Sequence, residues 1–325
     1  MIVRPEGLLK DLSGLWTQLG KEETEGSERS AGVLRAVTMT FLLGVDEGDD
    51  AANEALATLM HDRPSRAIVL KLMKDDNAEL TGRAFAQCWM PFGRRQQICC
   101  EQIELSAGAK HFEDTLSLLR GLVAPDLPVV FWCRSTKLFA HSSFAELAAV
   151  SDKVILDSRS HPDPLKTVQF VNSQLKAGKL YGDLTWTRLT RWRETVATVF
   201  DRLDCKTFFD CLSRTEIQYT HTPTPMAVGY LSAWFRSIFG DRVPVEKVLT
   251  ARDVPWQISE IRFVTPKDEV TIDRMDKGLV ESHIRDFRTR SVFEVLDETR
   301  LVAEELAILG RDPIFAKAVE LASLS

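Results

Sequence analysis

Long apolar runs alternate with stretches of helical spacing in the first half of the chain. The runs are rich in β-branched and large apolar residues, which predicts strands that are buried on both faces of a sheet. The predicted strands span residues 33–45, 65–73, 126–134 and 153–158. Apolar residues three and four apart predict helices over residues 8–19, 51–61, 112–122, 144–150 and 164–177. We therefore expect an α/β fold with a mostly parallel or mixed sheet and flanking helices.

Residues 82–105 carry the most distinctive pattern of this half. They predict two strands joined by a Pro-Phe-Gly turn at residues 91–93, with Arg94 and Arg95 at the exit of the turn. Two arginines beside the backbone N–H groups of a turn can bind phosphate or another oxyanion. A solvated charge pair is the alternative, because anion sites normally draw donors from several segments.

The pattern changes after residue 178. It predicts a helix over residues 181–194, an edge strand over 208–219, a largely apolar core helix over 226–239, short alternating strands over 258–264, 270–275 and 281–287, and two last helices from 297 and 312. We therefore expect two domains. The first, residues 1–178, is the α/β domain with an N-terminal amphipathic helix that ends at Gly20. The second, residues 179–325, is a smaller α+β domain with antiparallel strands.

Tryptophans and arginines are interleaved in the predicted helix over residues 181–194. Trp186 and Trp192 lie on an apolar face, whereas Arg188 and Arg191 share another face one turn apart. Tryptophan and arginine are common anchors of protein interfaces, and arginine binds carboxylate or phosphate with two hydrogen bonds. The alternative is a buried tryptophan face beside a solvated arginine face.

Composition and charge narrow the class of protein. The chain has 325 residues, of which 44% are hydrophobic, so it can bury a sizeable core. Its net charge of −6 argues against non-specific nucleic-acid binding, which needs a basic face. No apolar run approaches the roughly 20 residues that span a bilayer, and the N-terminus lacks the apolar core of a signal peptide. We expect a cytoplasmic protein that binds neither nucleic acid nor membrane.

The cysteines do not form a metal-binding or redox motif. None of the six belongs to a C-x-x-C pair, and no histidine lies at zinc-site spacing from them. Four of them, Cys88, Cys99, Cys100 and Cys133, lie in apolar strand-like runs. We expect reduced, buried, structural thiols, because free cysteine is among the most buried residue types. The alternative is a redox switch, which needs exposed thiols in an electropositive setting.

No local pattern predicts catalysis. The chain lacks the glycine-rich loops that bind dinucleotides or nucleoside triphosphates, and its histidines are scattered. We therefore expect no catalytic residue, no metal and no cofactor. Arg134 lies at the end of a predicted strand, where ligands of α/β sheets bind, and this makes it a third candidate for anion binding beside Arg94 and Arg95.

Four segments carry a resemblance to a known family. They are residues 64–70 (PSRAIVL), 92–103 (FGRRQQICCEQI), 126–132 (DLPVVFW) and 183–193 (DLTWTRLTRWR). Together they resemble the OpcA family, the glucose-6-phosphate dehydrogenase assembly proteins of the bacterial oxidative pentose phosphate pathway. The resemblance extends from about residue 8 to the end of the chain and is weakest after residue 257.

The resemblance implies a non-catalytic protein that binds glucose-6-phosphate dehydrogenase and promotes its active oligomer or its affinity for substrate. The predicted contact residues are Trp186, Arg188, Arg191, Trp192 and Arg193 in the helix and Arg94 and Arg95 at the turn. We expect a double replacement of Arg188 and Arg191 by Glu to abolish activation and to leave the fold intact. The alternative is an enzyme or metabolite sensor that holds a sugar phosphate with Arg94, Arg95 and Arg134.

Overall fold

The chain forms two compact units, Met1–Leu156 and Asp157–Ser325. The computed structural model describes residues 3–25, 33–90, 97–201, 205–276, 278–308 and 310–324. The units divide before the helix Pro164–Lys176, whereas the sequence pattern predicts a boundary after it, at residue 178. This helix belongs with the second unit because Gln169 and Asn172 donate hydrogen bonds to Ser323 at the end of the chain, over 3.2 and 2.9 Å.

The first unit is a mixed sheet with helices, as predicted. Its strands are β1 (Val33–Arg35), β2 (Thr40–Asp46), β3 (Arg66–Leu72), β4 (Thr81–Trp89), β5 (Gln97–Ala107), β6 (Val129–Cys133) and β7 (Lys153–Leu156). Its helices are α1 (Pro5–Glu25), α2 (Asp50–Asp62), α3 (Glu113–Leu122), α4 (Thr136–Ala140) and α5 (Phe144–Val150). The strands follow the order β1-β5-β3-β2-β6-β7 in parallel, and β4 pairs antiparallel with β5.

The central strands of this sheet are buried along nearly their whole length. Every residue of β6 is buried, and so are the first six residues of β2. This confirms the prediction from their unbroken apolar runs. The predicted strand over residues 33–45 is divided, however, because β1 pairs with β5 whereas β2 lies between β3 and β6. A continuous apolar run does not reveal that one part of it pairs with one strand and the next part with other strands.

Helix α1 is longer than predicted and is held by a buried carboxylate. It continues past Gly20 to Glu25, so the predicted end is wrong. Leu8 and Leu12 are buried, and the indole N–H of Trp16 donates to Glu101 of β5 over 3.1 Å. Arg66 and Arg35 also pair with the buried Glu101. Among the described residues, no helix combines the length and the apolar character needed to cross a membrane.

The second unit contains a mostly antiparallel sheet, as predicted. The strands of this unit are β8 (Leu180–Asp183), β9 (Arg214–Tyr219), β10 (Val245–Leu249), β11 (Ile258–Val264), β12 (Glu269–Arg274), β13 (Leu279–Ile284) and β14 (Phe287–Val292). Strands β9 to β14 form the sheet. Its helices are α6 (Pro164–Lys176), α7 (Leu184–Thr187), α8 (Thr190–Phe200), α9 (Cys205–Cys211), α10 (Met226–Phe239), α11 (Glu298–Ala307) and α12 (Pro313–Ala322). The sheet order is β10-β9-β11-β12-β13-β14, and only β9–β10 is a parallel pair.

One face of this sheet packs on α10, which is the predicted core helix. Phe235 of α10 lies edge-on to Phe263 of β11, with ring centroids 5.3 Å apart, and both side chains are fully buried. In β9, β12 and β13, alternate residues are buried on this apolar face. The other set of residues forms an open face that is rich in charge.

Two predictions for this sheet are wrong. Residues 208–219 are not one edge strand: helix α9 comes first, and β9 then lies inside the sheet between β10 and β11. The alternation of buried and partly exposed residues starts only at Arg214. Residues 281–287 are not one strand either, because the chain turns at Arg285, whose φ of 52° lies in the left-handed region. The turn joins β13 to β14, a strand that the sequence pattern did not predict.

The cysteine prediction is wrong for one pair. Cys88 of β4 and Cys99 of β5 lie directly opposite each other and form a disulfide, with Cα atoms 4.1 Å apart. The prediction failed because it had no register for the two strands. Cys100 and Cys133 are free and buried, as predicted, and burial raises the pKa of Cys100 to about 11.

Reduction of this disulfide should destabilise the first unit. The bond closes a loop with a sequence separation of 11 residues, and a cross-link of this length lowers the entropy of the unfolded chain by an amount worth about 2–3 kcal/mol. We expect a non-thiol reductant to lower the free energy of unfolding by about this amount in urea titrations. The Cys88→Ala/Cys99→Ala variant is the control, since the reductant should leave its unfolding unchanged. An equal response of both proteins would show that the bond does not contribute.

Candidate functional site

The predicted contact segment is two short helices and not one. Strand β8 ends at Asp183, whose carboxylate accepts a hydrogen bond from the backbone N–H of Thr185 over 2.9 Å and so caps α7. An Asp side chain that accepts a hydrogen bond from the first turn is a typical helix N-cap. Helix α7 ends at Thr187, and α8 begins at Thr190, so the chain bends at Arg188 and Leu189.

Both tryptophans of this segment are buried. Trp186 packs against Tyr230 and Phe315, with ring centroids 5.9 and 5.8 Å apart. Trp192 packs edge-on against Phe293 at 5.1 Å. Of the two sequence interpretations, the structure matches the buried tryptophan face. The tryptophans fix the two helices on the second unit, and their assignment to partner binding stays a prediction.

The arginines of the segment do not form a solvated face. Arg188 makes two hydrogen bonds of 2.8 Å to the carboxylate of Asp157. Arg191 pairs with Glu194 at 2.7 Å and with Glu304 at 2.9 Å. These carboxylates of the same unit hold both guanidinium groups in place.

Arg193 lies on the face of a buried ring. Its guanidinium carbon is 3.8 Å from the centroid of Trp186, a cation–π contact. Burial lowers the pKa of Arg193 to about 10, against the opposing charges of nearby carboxylates such as Asp312. The contact between Arg193 and Trp186 therefore belongs to the packing of the second unit.

A buried carboxylate cluster underlies the segment. Asp183 accepts hydrogen bonds from the backbone N–H of Ser158 over 3.0 Å and from the hydroxyl of Tyr230 over 2.8 Å. Burial and the charge of Asp157 raise the pKa of Asp183. Burial also raises the pKa of Asp157, but the hydrogen bonds and charge of Arg188 outweigh it and hold that pKa below its usual value. The sequence pattern predicted a strand over residues 153–158, which ends at Asp157 and Ser158, but did not connect these residues to Tyr230 of α10.

The three candidate anion-binding arginines are not brought together among the described residues. Arg94 and Arg95 lie outside them, so their role stays a prediction. Arg134 binds Asp49, with Nε–Oδ2 and Nη2–Oδ1 distances of 2.8 and 3.2 Å. A carboxylate of the same unit thus occupies the guanidinium of Arg134. Within the described ranges, no three His, Cys, Asp or Glu side chains could hold a metal ion together.

An exposed apolar patch lies at one end of the second sheet, and the sequence pattern missed it. Met275 follows β12 and donates its backbone N–H to the carbonyl of Leu279 over 3.1 Å. Leu279 of β13 lies opposite Val292 of β14. Met275, Leu279 and Val292 are 48, 38 and 81% exposed. We call these three residues the apolar patch; such exposed clusters are typical of interaction surfaces.

Charged side chains border the apolar patch on the open face. Glu281 and Arg290 are the next pair on the same face of β13 and β14, with an Nε–Oε1 distance of 3.4 Å. Further across the face, the carboxylate of Glu260 is buried beside Arg252, at 3.3 Å, and Arg262. An apolar region beside ordered charges resembles the core and rim of protein interfaces.

Comparisons with known sequences place the chain in a family. A family described as glucose-6-phosphate dehydrogenase subunit N-terminal domain matches residues 57–173, and the corresponding C-terminal domain matches residues 180–319. A putative OxPP cycle protein OpcA from Nostoc punctiforme is 25% identical over 252 residues, which cover 77% of this chain and 51% of that protein. One from Synechocystis sp. is 27% identical over 187 residues, or 55% and 38% of the two chains. This chain therefore matches only about half, or less, of the length of these relatives.

Solved structures match the chain only at low similarity. Biliverdin reductase from Synechocystis sp., in complex with biliverdin and NADP+, has a TM-score of 0.48 and 10% identity over 87% of this chain and 97% of that one. A dehydrogenase from Clostridium difficile has a TM-score of 0.45 and 7% identity, covering 87% and 96% of the chains. No functional conclusion follows from similarity at this level.

Replacement of Arg188 should destabilise the second unit, contrary to the expectation from sequence that the fold tolerates it. Arg188→Ala leaves the buried Asp157 carboxylate without its bidentate partner, and losing one member of such a pair costs about 3 kcal/mol or more. The Asp157–Arg188 pair contributes its full stability above about pH 3.9, the pKa of an aspartate in the unfolded chain. This contribution is lost as the pH falls through the lower pKa of Asp157 in the folded protein. Urea titrations should therefore show a large loss at pH 7 and a smaller one well below pH 4.

The matched control is Arg242→Ala, because Arg242 is an exposed arginine of the same unit. It should leave the unfolding free energy unchanged within about 0.5 kcal/mol. A loss for Arg188→Ala that is equally large at both pH values would contradict the electrostatic explanation.

Proposed function

Because the chain belongs to the OpcA family of glucose-6-phosphate dehydrogenase subunits, we propose that it is a non-catalytic partner of glucose-6-phosphate dehydrogenase. The observation that carries this proposal is the match of both domains of the family, in order, over residues 57–173 and 180–319. The similar cyanobacterial proteins are named as OxPP cycle proteins, which supports a role in the oxidative pentose phosphate pathway.

The proposed mechanism is a shift of a conformational equilibrium. A protein that binds the active oligomer of the dehydrogenase more tightly than the inactive form increases the population of the active oligomer. The size of the effect is set by the difference between the two affinities, and tenfold corresponds to about 1.4 kcal/mol. This protein needs no catalytic residue for such an action, only a rigid surface that distinguishes the two forms of the dehydrogenase.

We place the main contact on the apolar patch and its charged border. Met275, Leu279 and Val292 offer apolar surface that a partner can remove from water. The adjacent pair Glu281–Arg290 supplies charges that can orient the partner. The strands beneath the patch are hydrogen-bonded to one another, so the surface is pre-organised for binding. Arg94 and Arg95 remain a second predicted contact.

The function is tested by kinetics of glucose-6-phosphate dehydrogenase from the same organism. Adding this protein should raise the rate or lower the apparent KM for glucose 6-phosphate, because the active oligomer becomes more populated. Size-exclusion chromatography of the mixture should show co-elution of the two proteins. This protein alone should not turn over sugar phosphates.

Two outcomes would contradict the proposal. Turnover by this protein alone would indicate an enzyme of sugar phosphates. Unchanged kinetics without co-elution would show that this protein neither binds the dehydrogenase nor changes its activity, and would favour a metabolite sensor.

The contact surface is tested by Met275→Asp/Val292→Asp. Two carboxylates in the apolar patch should weaken binding to the dehydrogenase at least tenfold, about 1.4 kcal/mol, because the interface would have to desolvate them. Met275 is 48% and Val292 81% exposed, so the thermal unfolding midpoint should stay close to that of the unchanged protein. The affinity is measured by biolayer interferometry with immobilised dehydrogenase.

Ile314→Asp is the matched control, since Ile314 is an apolar residue of the same unit with 53% exposure, outside the sheet. The control should bind normally. Full affinity of the double variant would exclude the apolar patch as the contact, and an Arg94→Glu/Arg95→Glu variant would then test the turn.

A further inference from the structure

A cavity of about 230 Å³ lies within the second unit, on the side of the sheet that carries the apolar residues. Its wall includes residues from α8, the end of β12 and the segments before β11 and after β14. Four arginines contribute to it: Arg159, Arg188, Arg191 and Arg274. Among the described residues, Glu294 is the single acidic residue that lines this wall, so the net charge of the wall depends on which arginines are paired with carboxylates behind it.

Arg274 occupies a position that the sheet pattern assigns to an apolar residue. Side chains alternate between faces along a strand, so Arg274 shares the apolar face with Ile272. Its guanidinium carbon is 4.8 Å from the ring centroids of both Trp256 and Phe293. The two rings hold the charged group in place at the wall of the cavity.

Arg274 has no ion-pair partner among the described residues. Its Nε donates at 3.4 Å to the carbonyl oxygen of Asp276, which is a weak hydrogen bond. Burial lowers the pKa of Arg274 to about 10, and the charge of Asp276 opposes this only in part. A half-buried guanidinium without a carboxylate partner favours an anion next to it.

The other arginines of the wall divide into two kinds. Arg188 and Arg191 are neutralised by the carboxylates described above. Arg159 is exposed, and its side chain makes no ion pair with any described residue. Glu294 pairs with Arg300 and lies 3.7 Å from Arg191. The uncompensated charges of the wall are therefore those of Arg159 and Arg274.

We propose that this cavity binds a small anionic metabolite, with Arg274 and Arg159 holding its phosphate or carboxylate group. The volume of about 230 Å³ lies just below the range of roughly 300–1,000 Å³ that is usual for ligand pockets. It therefore fits a ligand of monosaccharide size. The aromatic rings of Trp192, Trp256 and Phe293 supply the apolar part of the wall. The site is independent of the proposed partner, and binding is measured on this protein alone.

Isothermal titration calorimetry with the full chain tests the site. The probes are inorganic phosphate, glucose 6-phosphate and gluconate, and glucose is the uncharged control. We expect saturable binding of at least one anion and none of glucose. Glucose 6-phosphate or phosphate binding alone would identify a phosphate site, whereas gluconate binding alone would identify a carboxylate site. No saturable binding of any of the three anions at millimolar concentration would overturn the proposal.

Two variants assign the binding to this cavity. Arg274→Gln removes the charge that lies between the rings and should weaken anion binding at least tenfold. Arg159→Gln should weaken it severalfold, and because Arg159 is exposed, this variant keeps the test valid even if Arg274→Gln folds poorly by circular dichroism. Arg242→Gln is the control for loss of one exposed positive charge and should bind normally. Binding that is unchanged in both cavity variants would overturn the assignment.

Discussion

The second unit depends on the burial of two neighbouring carboxylates. Asp183 is fully buried and accepts hydrogen bonds from the backbone of Ser158 and Thr185 and from Tyr230. Asp157 lies beside it and is neutralised by Arg188. Unpaired charges of this kind cost several kcal/mol each, so their partners must stay in place. The result is that the end of β8, the start of α7 and the middle of α10 are fixed relative to one another.

This arrangement determines what the tryptophan- and arginine-rich segment does. With Arg188 bound to Asp157 and Trp186 packed on Tyr230, the segment is part of the interior of its unit. A composition that is typical of an interface is here used for packing. The same residue types serve both purposes, because buried interfaces and protein cores require similar packing of aromatic rings and pairing of arginines.

The two faces of the second sheet offer two different surfaces. Period-2 alternation sends one set of side chains to α10 and the other to the open face. Arg274 departs from this pattern, since it is a charged residue on the apolar side. The apolar patch departs from it in the opposite sense, with Leu279 and Val292 on the charged side. Residues that break a local pattern without local compensation often mark functional sites, and the two proposed sites of this unit lie at these departures.

The sequence by itself determined the α/β and α+β character, most strands and helices, the core helix α10 and the starts of the last two helices. These features follow from periodicity and capping, which act over a few neighbouring residues. The family was also readable from four segments. Only the tertiary structure decided the Cys88–Cys99 disulfide, the Asp157–Arg188 pair, the apolar patch and the cavity around Arg274. Each of these requires strand register or contact between residues far apart in the chain, and local patterns carry no information about either.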